Sequence, residues 1–117
     1  ASALHVLIFY MESIAWEGAL ARKTFGGTPE EVRPHAFYAF NQGFYNLFLA
    51  LQAIIGVVLA ALGYAAIGAA LILAGTGAML AAAVVLALAS APHRSAAAKQ
   101  GTFPLLAVVC TFAALLG

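Results

Sequence analysis

The chain has 117 residues, of which 65% are hydrophobic and 8% charged, with a mean hydropathy of +1.03. A soluble domain carries about 25% charged residues because its surface must face water, so the composition excludes one and marks an integral membrane protein. The formal net charge of +1 leaves no basic patch to neutralise phosphates and excludes a nucleic-acid-binding module. The single cysteine, Cys110, permits neither an intrachain disulfide nor a C-x-x-C metal knuckle.

Charged residues and turn formers divide the chain into four apolar segments, at about 2–20, 35–62, 65–90 and 100–117. Each is long enough to cross a hydrocarbon layer about 30 Å thick. The expected fold is therefore all-α: one integral membrane four-helix bundle over residues 1–117, set in a bilayer. The first segment is expected to stay in place rather than be cleaved as a signal peptide. It has no basic leader, and Glu12 interrupts its apolar run.

That segment carries His5 and Glu12 on one helical face. They are separated by about 10 Å along the axis, too far to share one proton or one metal ion. A carboxylate inside a span costs several kcal/mol unless it is protonated, partnered or wetted, which makes Glu12 a candidate functional group. The alternative reading is a hydrogen-bonded acid that only holds helices together.

The connection that follows contains Arg22, Lys23, Thr28, Pro29, Glu31, Arg33 and Pro34. Thr28 with Glu31 forms a capping box, and Pro29 falls at the first helical position, so a short interfacial helix between spans one and two is predicted to start there. Pro34 ends or kinks it before the second span.

The second segment is polar in its first half, with Asn41, Gln42, Tyr45, Asn46 and then Gln52. Counted inward from the same side, Glu12 and the Asn41–Gln42 pair lie at matching depth. Glu12 is thus expected to meet the amide of Asn41 or Gln42, with Tyr45 and Asn46 completing a network and His5 further outward. The alternative is that the amides serve only as interhelical glue, at about 0.6 kcal/mol per bond.

Leu62, Gly63 and Tyr64 leave room only for a tight hairpin, making the second and third segments antiparallel neighbours. The third segment holds Ala66, Ala70, Ala74, Ala78 and Ala82 in one row beside Gly77 and Ala81, a pattern that predicts a close packing face. Gln100 opens the fourth segment as a candidate lining of the cytoplasmic mouth, and Pro104 is expected in that helix's first turn, where proline is tolerated. All five basic residues fall in the first and third connections. The positive-inside rule makes that side cytoplasmic and puts both termini outside. Trp16 and Tyr38 suit an interfacial aromatic belt, and His35 and His93 are ordinary interface histidines.

There is no H-E-x-x-H, no G-x-S-x-G, no P-loop and no histidine pair at i, i+4. Hydrolase, nucleotide-dependent and di-metal readings therefore lack support, and no catalytic residue or metal ligand is assigned; an enzyme is unsupported rather than excluded, and a cofactor is left open.

His5, Glu12 and Trp16 at this spacing, Phe25-Gly26 after a basic pair, the run from Asn41 to Ala50, and Gln100-Gly101 with Pro104 together resemble the bacterial domain-of-unknown-function 1304 family of small four-span membrane proteins. The resemblance covers nearly the whole chain and implies the fold, an inner-membrane location and these site residues, but no reaction. Against the family pattern, Leu4 stands where an acid often precedes the histidine, Leu47 where a glycine follows the Tyr-Asn pair, and Ala87 where a tyrosine occurs. Members also tend to have more residues before the histidine, which places His5 deeper than its number implies.

The expected function is binding or translocation of a small molecule or ion in an intramembrane pocket lined by His5, Glu12, Asn41, Gln42, Tyr45 and Asn46. Glu12 is the protonatable group there, and the amides orient the ligand. Four short helices enclose little room, so transport points to a homodimer, with the alanine row as one interface. Two rivals stand beside it. One is a membrane-embedded enzyme or redox partner acting on a lipid or quinone, with Glu12 or His5 as general acid or base. The other is an accessory subunit of a larger membrane complex.

Overall fold

A computed structural model describes all 117 residues, which form helices and no strand. Helix α1 (Ser2–Phe9) runs straight into a π-helix (Tyr10–Ile14). The expected continuation to residue 20 does not occur. Ala15 leaves helical geometry at φ −122° and ψ 41°, and the Gly18 N–H bonds back to the Ala15 carbonyl at 3.0 Å. Two features favour the break. The Trp16 Nε1–H donates to the Val32 carbonyl at 2.7 Å, tying the indole to the next connection. A second helix, α2 (Ala19–Phe25), then folds against the first and buries Ala21 on Ile8 and Met11, with Leu4 and Phe25 alongside. The apolar stretch Ser2–Ile14 is therefore only about 20 Å long, against the roughly 30 Å of a hydrocarbon core.

Helix α3 (Pro29–Val32) starts at the expected capping box. The Glu31 N–H donates to Thr28 Oγ1 at 3.3 Å, the Thr28 N–H donates to Glu31 Oε1 at 3.1 Å, and Pro29 opens the helix. Pro34 lies in a 3₁₀ turn (Arg33–His35) that leads into α4 (Ala36–Ala61). Gly63, at φ 99°, takes the left-handed conformation that closes the hairpin to α5 (Ala65–Ala89). After a 3₁₀ turn (Ala91–His93), α6 runs over Arg94–Leu116. It begins ahead of the expected start near residue 100, so Pro104 is a buried interior residue and not a first-turn one. Its missing N–H frees the Gln100 carbonyl. Three helical stretches, Pro29–Ala61, Ala65–Ala89 and Ala91–Leu116, are long and apolar enough to cross a membrane.

Helix α5 packs between α4 and α6, and α1 with its π-helix packs on α4. The face of α5 that meets its neighbours is built from Gly68, Ala69, Gly75, Thr76, Met79 and Ala83. The predicted alanine row lies elsewhere: Ala66, Ala70, Ala74 and Ala82 are exposed and Ala78 is half-buried. The physical reason is that glycine permits a closer approach than alanine. A Cβ on Gly68 would lie 2.5 Å from the Gly56 carbonyl oxygen and 2.6 Å from the Ala60 backbone nitrogen. The two backbones touch at Gly56 and Gly68, and that contact sets the face.

Candidate functional site

The site begins with the way the first helix lies on α4. Ser2 Oγ donates to the Ala50 carbonyl at 3.1 Å and Ser13 Oγ to the Phe40 carbonyl at 2.7 Å. Between these ties, α4 presents Ala39, Gly43, Asn46 and Ala50, at spacings of four, three and four residues, which is one helical stripe. Three of the four are small, so the helices close to backbone distance. At Gly43 the approach is complete: a Cβ there would run into Ser13 Oγ and come within 3.0 Å of its Cβ and backbone nitrogen.

Asn46, the polar member of the stripe, therefore faces Glu12. Its Nδ2 donates to Glu12 Oε1 at 3.2 Å and to the Gln42 carbonyl of its own helix at 3.1 Å. Glu12 is only 9% exposed and lies within the π-helix. In a π-helix the backbone bond reaches one residue further than in an α-helix, a feature frequent at functional sites. Here the Ala15 N–H reaches the Tyr10 carbonyl at 2.8 Å.

The other predicted residues are placed as follows. Asn41, Gln42 and Tyr45 are exposed, off the stripe that faces the first helix, and their side chains do not meet Glu12. Asn41 and Gln42 lie about one turn from Asn46 along α4 but on a different side of it, because the small residues Ala39, Gly43 and Ala50 set which side of α4 meets the first helix. His5 is buried at 3% exposure, and its Nδ1–H donates to the Ala1 carbonyl at 3.0 Å. Gln100 lines a separate cavity of about 200 Å³, beside Leu4, Ile8, Phe25 and Lys99. His93 pairs with Ser90 at 2.6 Å, and His35 is exposed. No three His, Cys, Asp or Glu side chains come together as a metal site.

Two residues gain a place that sequence reasoning did not assign. Trp16 and Phe40 join Glu12, Ser13, Glu17 and Ala36 around an open cleft of about 380 Å³, at the break after the π-helix. Glu17 is paired to Arg33, Nε to Oε1 at 2.6 Å. Trp16 is held by its bond to Val32 and rests against Phe25 with ring centroids 5.8 Å apart. Phe40 lies 5.0 Å from Phe44, which in turn meets Phe9 edge-on at 5.0 Å. The signal that would have pointed to Asn46 was available in the spacing of Ala39, Gly43 and Ala50; the cleft depends on a helix break that hydropathy does not reveal.

These features define a class: an all-helical chain, apolar enough in three helices to cross a membrane, with a buried carboxylate bound by an amide across a helix interface. The chain belongs to the family described as "Protein of unknown function (DUF1304)", whose model matches residues 1–112. No curated protein and no solved structure matches it.

Proposed function

We propose that this is an integral protein of the bacterial cytoplasmic membrane, a four-helix bundle in which α4, α5 and α6 cross the bilayer with the C-terminus outside and the shorter first helix packs on α4, and that it binds or translocates a small molecule or ion at a polar site centred on Glu12 and Asn46. The observation that carries the reading is the Glu12–Asn46 pair: a carboxylate nine-tenths buried in an apolar helix, given one neutral donor at Oε1 and otherwise bordering an open cleft. Glue between helices needs only the donor, whereas the cleft gives the carboxylate something to act on. His5 lies on the same helix, deeper in the fold, and Asn41, Gln42 and Tyr45 stand at the periphery of the site. Translocation would require a second copy, since four short helices enclose little room.

The test is mass spectrometry of small molecules co-extracted with the wild-type chain and with Glu12→Gln, purified side by side in mild detergent. A molecule retained by the wild type and absent from a folded Glu12→Gln sample supports the reading. Identical extracts from two folded samples refute it.

A further inference from the structure

The cleft beside Glu12 has a composition that selects among ligands, and we infer that it takes a monovalent organic cation of the alkylammonium class, held between Trp16 and Phe40 with its charge toward Glu12. This rests on the reading of Glu12 as a binding group and adds the ligand's charge and shape.

Three observations carry it. First, of the two carboxylates lining the cleft, Glu17 is already neutralised by Arg33 at 2.6 Å, while Glu12 has only the uncharged Asn46 amide. No lysine, arginine or histidine lines the cleft. One carboxylate is thus left without a cation, which sets the ligand's charge at one. Second, the apolar part of the cleft includes two aromatic side chains, Trp16 and Phe40, beside Ile14, Ala15 and Ala36. Trp16 is fixed through Nε1 to Val32, and Phe40 is braced by Phe44. Ring faces attract cations, most strongly those with little hydration such as quaternary ammonium groups. Third, a volume of about 380 Å³ falls within the roughly 300–1,000 Å³ of small-molecule sites and exceeds what a bare metal ion fills. Three other cavities are mostly apolar in lining and contain no acidic side chain.

The chain's one tryptophan lies in this cleft, so its fluorescence reads occupancy without a label. The experiment titrates the purified full chain in nanodiscs of phosphatidylglycerol with benzyltrimethylammonium, and in parallel with benzyl alcohol and benzenesulfonate, which carry the same ring with no charge and with the opposite charge. Only the cation should give a saturable change in Trp16 emission. Glu12→Gln should weaken it by about tenfold or more, as expected for loss of a charged partner, and Phe40→Leu by about threefold. Glu30→Gln, at an exposed position in α3, should leave it unchanged. A lipid with an ammonium headgroup offers the same chemistry. Adding phosphatidylethanolamine to the nanodiscs raises the midpoint if the headgroup is the occupant and leaves it unmoved if the ligand is a free cation; both results fit the cation assignment.

No saturable change with the cation, or an equal one with benzyl alcohol, overturns the inference. The three-probe comparison needs only the wild type and so does not depend on a variant folding. Saturable, Glu12-dependent binding of a neutral or anionic probe would overturn the cation assignment while leaving Glu12 as a binding group. Failure of every probe, together with identical extracts from wild type and Glu12→Gln, would overturn both.

Discussion

Two glycines of α5 separate the face that packs from the face that does not, and substituting each by alanine gives opposite signs. At Gly68 an added Cβ would lie 2.6 Å from the Ala60 backbone nitrogen, against an ordinary contact beginning at 3.4 Å. The helices must then part by about 0.8 Å, a gap that forfeits a quarter to a half of each contact's attraction of about 0.1–0.2 kcal/mol. Over the few tens of atom pairs along α4 and α5, the loss is about 2–3 kcal/mol, in line with other overpacked cores. Alanine returns about 0.5–1 kcal/mol of helix propensity, leaving Gly68→Ala destabilised by about 1–2.5 kcal/mol. At Gly77 nothing lies within 4 Å of the added carbon, so Gly77→Ala keeps the propensity gain of about 0.5–1 kcal/mol. Equilibrium unfolding in dodecylmaltoside–dodecylsulfate micelles, followed by far-UV circular dichroism, measures both. Gly68→Ala should unfold at a lower dodecylsulfate fraction than wild type, and Gly77→Ala at the same or a higher one. The reverse order would mean that the alanine and Gly77 side of α5, and not the Gly68 side, forms the interface with α4.

The same unfolding assay tests the site. Asn46→Leu removes the only protein donor to Glu12 and should cost about 1–3 kcal/mol, whereas Glu12→Gln retains an acceptor for Asn46 and should stay within about 1 kcal/mol of wild type. Gly43→Ala should destabilise by about 1–3 kcal/mol through overpacking on Ser13, and Ser13→Gly combined with it should recover part of that loss. A double-mutant coupling below about 0.5 kcal/mol would count against the close approach. For topology, reagents that cannot cross the membrane should label a cysteine placed at Tyr64 in a Cys110→Ser background from the outside of intact cells only if the hairpin faces out. In the proposed topology the hairpin faces out together with the C-terminal end of α6, and the expected result is labelling.

Much of the fold follows from local signals. The Thr28–Glu31 box with Pro29 predicted α3, and the three-residue Leu62–Tyr64 connection predicted the hairpin between α4 and α5. Both depend on chemistry within a few residues. The ends of the first helix and the start of α6 were not predictable in this way, because alanine, leucine and tryptophan are equally apolar in a span and in a turn braced by tertiary contacts. The break at Ala15 depends on Trp16 finding Val32, sixteen residues away. The same limit applies to the site. Glu12 stood out because a carboxylate in an apolar run is conspicuous, and α4 stood out as its partner because of its amides. Which amide faces Glu12 depended on phase around α4, and that phase is set by residues with almost no side chain, Ala39, Gly43 and Ala50, whose importance lies in what they leave vacant. The alanine row of α5 lies off the contact with α4 for the converse reason: small residues permit contact but do not compel it, and glycine permits a closer one.

The π-helix at Tyr10–Ile14 holds one more residue in its turn than an α-helix would. Such a turn behaves as an insertion already absorbed. A one-residue deletion within Tyr10–Ile14 that spares Glu12 converts the wide turn to an ordinary one, and the helix before it and the chain after it keep the directions they now face. The same deletion between Ser2 and Phe9 would rotate everything on one side of it by about 100°, carrying either the Ser2 tie or Glu12 away from α4. The wide turn around the carboxylate is therefore where this helix can lose one residue without disorienting its ends, so that the surroundings of Glu12 can change while the fold is kept.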